Sequence, residues 1–264
     1  MHDEWSEAVD VRTQAADRLL DAAASGKPCP PVRDLVGSVR DGYAVQEINT
    51  RRALQEGRRL VGRKVGMTNA EVRGRFGIGE PDFGMLFQDR CHLDGQPIPI
   101  GDFLQPRVEG EVAFVLKEDL EGGPFTTAEV IRAVDFALAA IEVADSRIEG
   151  WDITPADTIA DNASSGAFVL GGDPRDLRGL DLRTAAMTMT RNGEQVSSGS
   201  GAQVMEHPLN ALVWLAGATG RSAFPLRAGD VVLTGTLGPF VEAVSGDAFE
   251  VRIDGLGSVR AVFG

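Results

Sequence analysis

The stretch Arg107-Val108-Glu109-Gly110-Glu111-Val112-Ala113-Phe114-Val115-Leu116 decides how the rest of the chain is read. Its β-branched and aromatic run predicts a β-strand, in which residues i and i+2 share a face. Glu109 and Glu111 then stand side by side as the strand turns apolar. Carboxylates so placed repel each other and resist desolvation unless a cation lies between them, and a hard divalent metal is the simplest such cation. A pair of solvated charges at a strand end is the alternative that spacing alone leaves open.

A third acid extends the pattern. Ala140-Ile141-Glu142-Val143-Ala144-Asp145 reads as a second strand-like run in which Glu142 is flanked by β-branched residues. Acids with apolar flanks are seldom buried without a partner, and three on neighbouring strands would fill about half of a roughly six-coordinate Mg²⁺ or Mn²⁺ shell. Between these runs, Thr126 and Glu129 form an expected capping box, and Val130, Ile131, Val134 and Leu138 supply the apolar face of the helix that follows.

Upstream, Trp5, Ala8, Val9, Ala16, Leu19, Leu20 and Ala23 recur at helical spacing and stop at Gly26 and Pro28. Ser38 to Asp41 resembles a cap for a second helix carrying Ala44, Val45, Ile48 and Leu54, ending near Gly57. Residues 1–58 are thus expected to be a helical N-terminal segment, and residues 59–264 a sheet-rich body. Leu60 to Gly66 reads as a strand whose glycines admit a neighbouring backbone. Lys64 in that strand either snorkels to the surface or points inward as a proton-transfer group. Gly77 to Gly84 reads as a loop built on Pro81 and Asp82. Asp161 to Gly166 reads as a polar loop before the strand Ala167 to Leu170, and lacks the G-x-S-x-G nucleophile pattern. Beyond it, Asn192-Gly193 marks a hairpin among several short strands, which favours an α+β mixed sheet, sandwich or roll.

With 26 basic and 39 acidic residues the net charge is −13. Nucleic acid and anionic membrane are poor partners for such a chain, and an acidic substrate needs local cations or a metal. No run approaches the about 18 apolar residues of a membrane span. The acidic start, Met1-His2-Asp3-Glu4-Trp5, lacks signal-peptide features, so a cytoplasmic location is expected. Cys29 and Cys91 are expected to be packing residues in a reducing compartment. His207 before Pro208 reads as structural. The remaining histidines, His2 and His92, stand in no catalytic pattern, which disfavours a Ser-His-Asp hydrolase.

Taken in order, Gly62-Arg63-Lys64-Val65-Gly66-Met67-Thr68, Pro81-Asp82-Phe83-Gly84, Glu109-Gly110-Glu111, Ile141-Glu142-Val143, Asp161-Asn162-Ala163-Ser164 and Leu233-Thr234-Gly235-Thr236 resemble the hydratase/decarboxylase family of the fumarylacetoacetate hydrolase superfamily. The resemblance implies a mixed β-sandwich roll with a small helical N-terminal segment. It implies Mg²⁺ or Mn²⁺ on Glu109, Glu111 and Glu142, with Lys64, Asp82 and Ser164 lining the active site and Thr236 binding substrate. It also implies a homo-oligomer acting on a small 2-hydroxydienoate, in association with the aldolase that follows in the pathway. The Gly-Arg-Lys-Val-Gly and Leu-Thr-Gly-Thr-Leu-Gly-Pro versions of two motifs are more similar to the hydratases, which add water to 2-hydroxypenta-2,4-dienoate or a close homologue. 4-Oxalocrotonate decarboxylation, acylpyruvate C–C hydrolysis and a non-catalytic supporting role are the competing expectations. Gly110 replaces the family's more usual alanine, a change expected to be tolerated.

Overall fold

The computed structural model describes residues 2–76 and 78–264, and their side chains except those of 2–10 and 76. The side chains of His2, Trp5, Ala8 and Val9, together with Gly77, therefore lie outside the described residues.

Two helices lead the chain, α1 (His2–Ser25) and α2 (Val39–Gln55). The body follows with β1 (Leu60–Gly66), α3 (Ala70–Phe76), β2 (Asp82–Phe87), β3 (Cys91–His92), β4 (Pro97–Ile98) and β5 (Pro106–Leu116). Next come α4 (Thr127–Ala133), β6 (Val134–Asp145), α5 (Pro155–Ala160), β7 (Ser165–Leu170), β8 (Ala186–Arg191) and β9 (Glu194–Ser200). The chain closes with α6 (Pro208–Thr219), β10 (Val231–Thr236), β11 (Val241–Glu242), β12 (Ala248–Ile253) and β13 (Gly257–Phe263).

The strands form two sheets. One runs β2-β1-β10-β5-β6-β7-β3, with β11 paired to β5, and the other runs β4-β13-β12-β8-β9. The first is mixed, because β1 with β10 and β7 with β3 are parallel while the other pairs are antiparallel. At its centre β5 and β6 pair along their full length, from Pro106 opposite Asp145 to Leu116 opposite Val134.

Alternation along these strands assigns the two faces different work. Val108, Val112, Phe114, Ile141 and Val143 pack against Met187, Met189, Phe249, Val251 and Phe263 of the second sheet, making the sandwich core. Burying a side chain such as Phe114 contributes about 1.5–3 kcal/mol. Gly110 faces this core, where an added Cβ would lie 3.0 Å from Val251 Cγ1 and 3.2 Å from Met187 Sδ. The departure from alanine therefore alters sandwich packing and not the acidic face. On the opposite face the first sheet curls on itself around Leu86, Ala113, Leu138, Ala140, Phe168, Val231 and Leu233.

A side chain bridges the curl. Asn162, just before β7, accepts from Met85 N at 2.7 Å and donates to Met85 O at 3.0 Å, so its amide imitates a strand neighbour for the edge strand β2. The N-terminal helices cap one end. Ala15, Ala16, Leu19, Val32 and Val45 share a core with Ile148 and Ala160. Gln46 Nε2 in α2 donates to Phe83 O at 2.9 Å and Ile159 O at 3.1 Å. The cap on α2 forms as expected, with Ser38 Oγ accepting from Asp41 N at 3.2 Å.

Several expectations need correction. The capping box at Thr126 and Glu129 is present, but its helix stops at Ala133, and Val134 and Leu138 belong to β6. Pairing with the eleven residues of β5 overrides the local helical spacing there. Asp82 to Gly84 is not loop but the start of β2, with Asp82 opposite Gly66. Cys29 is buried as expected, whereas Cys91 is exposed and is not a packing residue.

Candidate active site

The open end of the curled sheet carries the acids. Glu109 and Glu111 share a face of β5, and Glu142 on β6 lies directly opposite Glu109. One oxygen from each of the three falls within 4.8 Å of the others. Glu111 and Glu142 are fully buried and Glu109 partly so. Like charges facing each other across a strand pair destabilise a sheet, so the arrangement calls for a counter-charge.

Hydrogen bonding leaves that need unmet. Glu111 Oε2 accepts from Gly235 N at 2.7 Å, and Glu142 Oε1 faces Lys64 Nζ at 3.1 Å. Glu111 Oε1 and Glu142 Oε2 are buried with no hydrogen-bond partner among the described residues. Burial, then the neighbouring Glu142, pushes the Glu109 carboxyl up to about 7. The same causes, with Glu109 added, hold Glu111 well above the usual carboxylate range. Hard oxygen donors, orphaned lone pairs and mutual repulsion together fit a divalent cation of the Mg²⁺ or Mn²⁺ kind.

Lys64 points inward from β1, which settles its two readings in favour of burial, at 5 % exposure. Its ammonium donates to Ala163 O at 3.0 Å besides pairing with Glu142. Burial opposes its charge, but Glu142, Glu109, Asp82 and Glu111 outweigh burial and raise its pKa. Asp82 is buried at the head of β2, and burial raises its pKa against the pull of Lys64. Gly66 makes room for it, since a Cβ there would stand 2.2 Å from Asp82 Oδ1.

Ser164 completes the opposite wall. Asn162, Ala163 and Ser164 take φ of 54°, 49° and 52°, a left-handed turn of a kind rare outside glycine. This turn aims the Ala163 carbonyl at Lys64, and Ser164 Oγ lies 3.1 Å from Thr158 Oγ1. Gly84 on β2 admits the turn, because a Cβ there would meet Asn162 O at 2.2 Å. Asp161, paired with Arg147, anchors its start. Thr236 also borders the site, but its hydroxyl already donates to Gly238 O at 2.6 Å.

A cavity of about 1500 Å³ opens over the trio, bordered by Lys64, Asp82, Glu109, Ser164 and Thr236 but not by the deeper Glu111 and Glu142. Part of its wall is aromatic. Tyr43 from α2 stacks on Phe83 at 4.6 Å, and Phe83 lies 6.4 Å from Trp214. Sequence reasoning missed this wall, since Tyr43, Phe83 and Trp214 are distant in the chain. It also passed over Arg107, although strand alternation puts Arg107 on the face of Glu109.

Residues 59–263 match the family model "Fumarylacetoacetate (FAA) hydrolase C-terminal". A mixed roll of this topology with a buried acidic trio at its mouth is what that match accounts for, and the chain belongs to the fumarylacetoacetate hydrolase superfamily. It is 53% identical over 252 residues to the TodF product hydratase of Pseudomonas putida (strain F1), covering 95% of this chain and 94% of that one. It is 51% identical over 261 residues to 2-keto-4-pentenoate hydratase 1 of Dechloromonas aromatica (strain RCB), covering 98% and 99%. The solved structure of 4-oxalocrotonate decarboxylase from Pseudomonas putida G7, complexed with magnesium and adipate, is similar at a TM-score of 0.91 and 33% identity over 97% of each chain. Within the superfamily the chain is a member of the 2-keto-4-pentenoate hydratase family.

Proposed function

We propose that the protein is a divalent-metal-dependent hydratase adding water to 2-hydroxypenta-2,4-dienoate, or to a close homologue such as 2-hydroxyhexa-2,4-dienoate. The five-carbon substrate yields 4-hydroxy-2-oxopentanoate, a step of meta-cleavage catabolism. One observation carries the reading: a buried Glu109/Glu111/Glu142 trio with orphaned oxygens beside Lys64 and Asp82, in a chain about half identical to hydratases. Mg²⁺ or Mn²⁺ held by Glu109, Glu111 and Glu142 supplies Lewis-acid stabilisation of the negative charge on the substrate's 2-oxygen.

The chain's own residues manage the protons. The enol proton leaves the 2-oxygen and C5 gains one, giving a 2-oxo-3-enoate; water then bonds to C4, loses a proton, and C3 gains one. Lys64 has three N–H donors, and with Glu142 and Ala163 O partnered, one remains for the cavity. It stays charged and steadies the developing enolate. Asp82, whose pKa burial raises, exchanges protons with carbon and water. Ser164 orients the water by hydrogen bonding. Thr236 contributes to substrate binding by its position at the cavity wall, with its hydroxyl hydrogen engaged by Gly238.

A homo-oligomer at work in the cytoplasm, associated with the following aldolase, belongs to the same reading and rests on the family resemblance. The second reading, 4-oxalocrotonate decarboxylation, is favoured by the likeness to a decarboxylase structure. Assay of both substrates with Mg²⁺ separates the two: loss of the dienoate chromophore with no CO₂ release is expected, and CO₂ release without hydration reverses the conclusion. Lys64→Ala should cut turnover while metal affinity is kept or tightened, since a cation beside the trio is removed.

A further inference from the structure

An oxo-acid anion entering a protein of net charge −13 needs a counter-charge at the site. A divalent ion and Lys64 together offset the three glutamates of the trio, so nothing in the inner site offsets the substrate's own carboxylate, and an ionised Asp82 adds to the excess. Among the described residues, the cationic side chains bordering the cavity are Lys64 and Arg107. Lys64 is already paired with Glu142 and Ala163 O, and its remaining donor serves the developing enolate. Arg107 is not so engaged.

Three observations set Arg107 apart. It lies two residues before Glu109 on the same strand face, about 7 Å away along the backbone. Its guanidinium packs over the Trp151 ring at 4.1 Å and the Phe240 ring at 4.5 Å, so its plane is held and its edge is left for hydrogen bonding. Its Nε is buried with no hydrogen-bond partner, and its ion-pair partner among the described residues is Glu242, 3.8 Å away on a side chain 79% exposed. So loose and solvated a contact holds little. A planar cation with free donors suits a carboxylate, which meets a guanidinium edge with two parallel hydrogen bonds.

We propose that Arg107 is the carboxylate anchor of the site: its guanidinium edge receives a carboxylate oxygen of the bound dienoate or oxo acid and fixes the direction in which the reacting chain runs past Lys64 and Asp82. This rests on the hydratase reading and adds the residue that recognises the substrate's charge. Trp151 and Phe240 act through Arg107, as the aromatic seat that holds the guanidinium in plane.

The test compares 2-oxopentanoate with its neutral amide, 2-oxopentanamide, titrated calorimetrically into the full-length magnesium-loaded protein. Arg107→Leu should weaken the acid about 30- to 100-fold and the amide less than about twofold. Arg107→Lys should fall between parent and leucine variant, since it keeps the charge without the flat edge. Mn²⁺ affinity, measured separately, should stay within a few-fold of the parent's or tighten in both variants, which reports that the trio is intact. Acid and amide weakened in parallel, or an acid bound equally by parent and Arg107→Leu, overturns the assignment of Arg107 alone. An acid that fails to bind the parent protein overturns the hydratase reading and this one with it.

Discussion

Asn162→Ala is the most searching single change to the architecture, because one side chain both closes the curled sheet and shapes the turn beside Lys64. The substitution removes hydrogen bonds of 2.7 and 3.0 Å to the Met85 backbone. Each contributes about 0.5–1.5 kcal/mol to stability. The position also holds φ at 54°, a conformation that asparagine tolerates better than alanine does. That preference adds about 1 kcal/mol, for an expected loss of about 2–4 kcal/mol in all. Urea unfolding at fixed protein concentration reads it as a lower midpoint with unchanged slope. A second effect accompanies the first. The Ala163 carbonyl that accepts from Lys64 Nζ at 3.0 Å follows Asn162 directly, so a slackened turn misplaces the ammonium. A shift of about 1 Å costs about a hundredfold in rate, so kcat should fall by about 10- to 100-fold while the protein stays folded. Asn162→Asp keeps the acceptor for Met85 N but turns a carboxylate oxygen toward Met85 O, and should be no more stable than the alanine variant. An alanine variant within about 0.5 kcal/mol of the parent, with normal kcat, would refute the bridging role.

Other outcomes follow from single contacts. Glu111→Gln should leave the fold intact and weaken Mn²⁺ binding by at least about tenfold in calorimetry, and unchanged affinity would remove the metal reading. His207 caps α6 by accepting from Leu209 N at 3.1 Å through Nδ1, and burial holds its pKa below the usual value. The unfolded chain therefore takes up the proton first, and stability should decline as the pH drops below about 6.5. His207→Asn, a cap that does not titrate, should flatten that decline in urea midpoints measured at several pH values, and an identical slope would count against the cap. Gly62→Ala would set a Cβ 1.9 Å from Val231 O between β1 and β10, so the variant should fail to accumulate as folded protein. A thermal melt close to the parent's would show that the strands can part there at no cost.

The acidic trio is legible in the sequence itself. Glu109 and Glu111 follow from a period of two, and Glu142 from its flanking Ile141 and Val143. The start of β6 was not legible, because Val134, Leu138 and the alanines among them keep helical spacing behind a genuine capping box. Only the pairing with β5, remote in sequence, makes that segment extended. Pro81 to Gly84 misled for a related reason. The glycine there does not make a turn; it leaves space for the Asn162 carbonyl, a need that no local pattern announces. Arg107 stood in the first stretch read, on the face of Glu109, yet its significance depends on Trp151 and Phe240 arriving from other parts of the chain.

The leading helical pair is more than a cover for the sheet. Tyr43 of α2 supplies part of the reaction chamber's wall, and Gln46 of the same helix pins the backbone at Phe83, its stacking neighbour. A protein trimmed to begin at residue 59 would keep its acids yet lose Tyr43 from the cavity wall and the Gln46 bond that steadies Phe83. Swapping this helical pair between related enzymes should accordingly reshape that stretch of wall, leaving the acid-bearing strands β5 and β6 untouched.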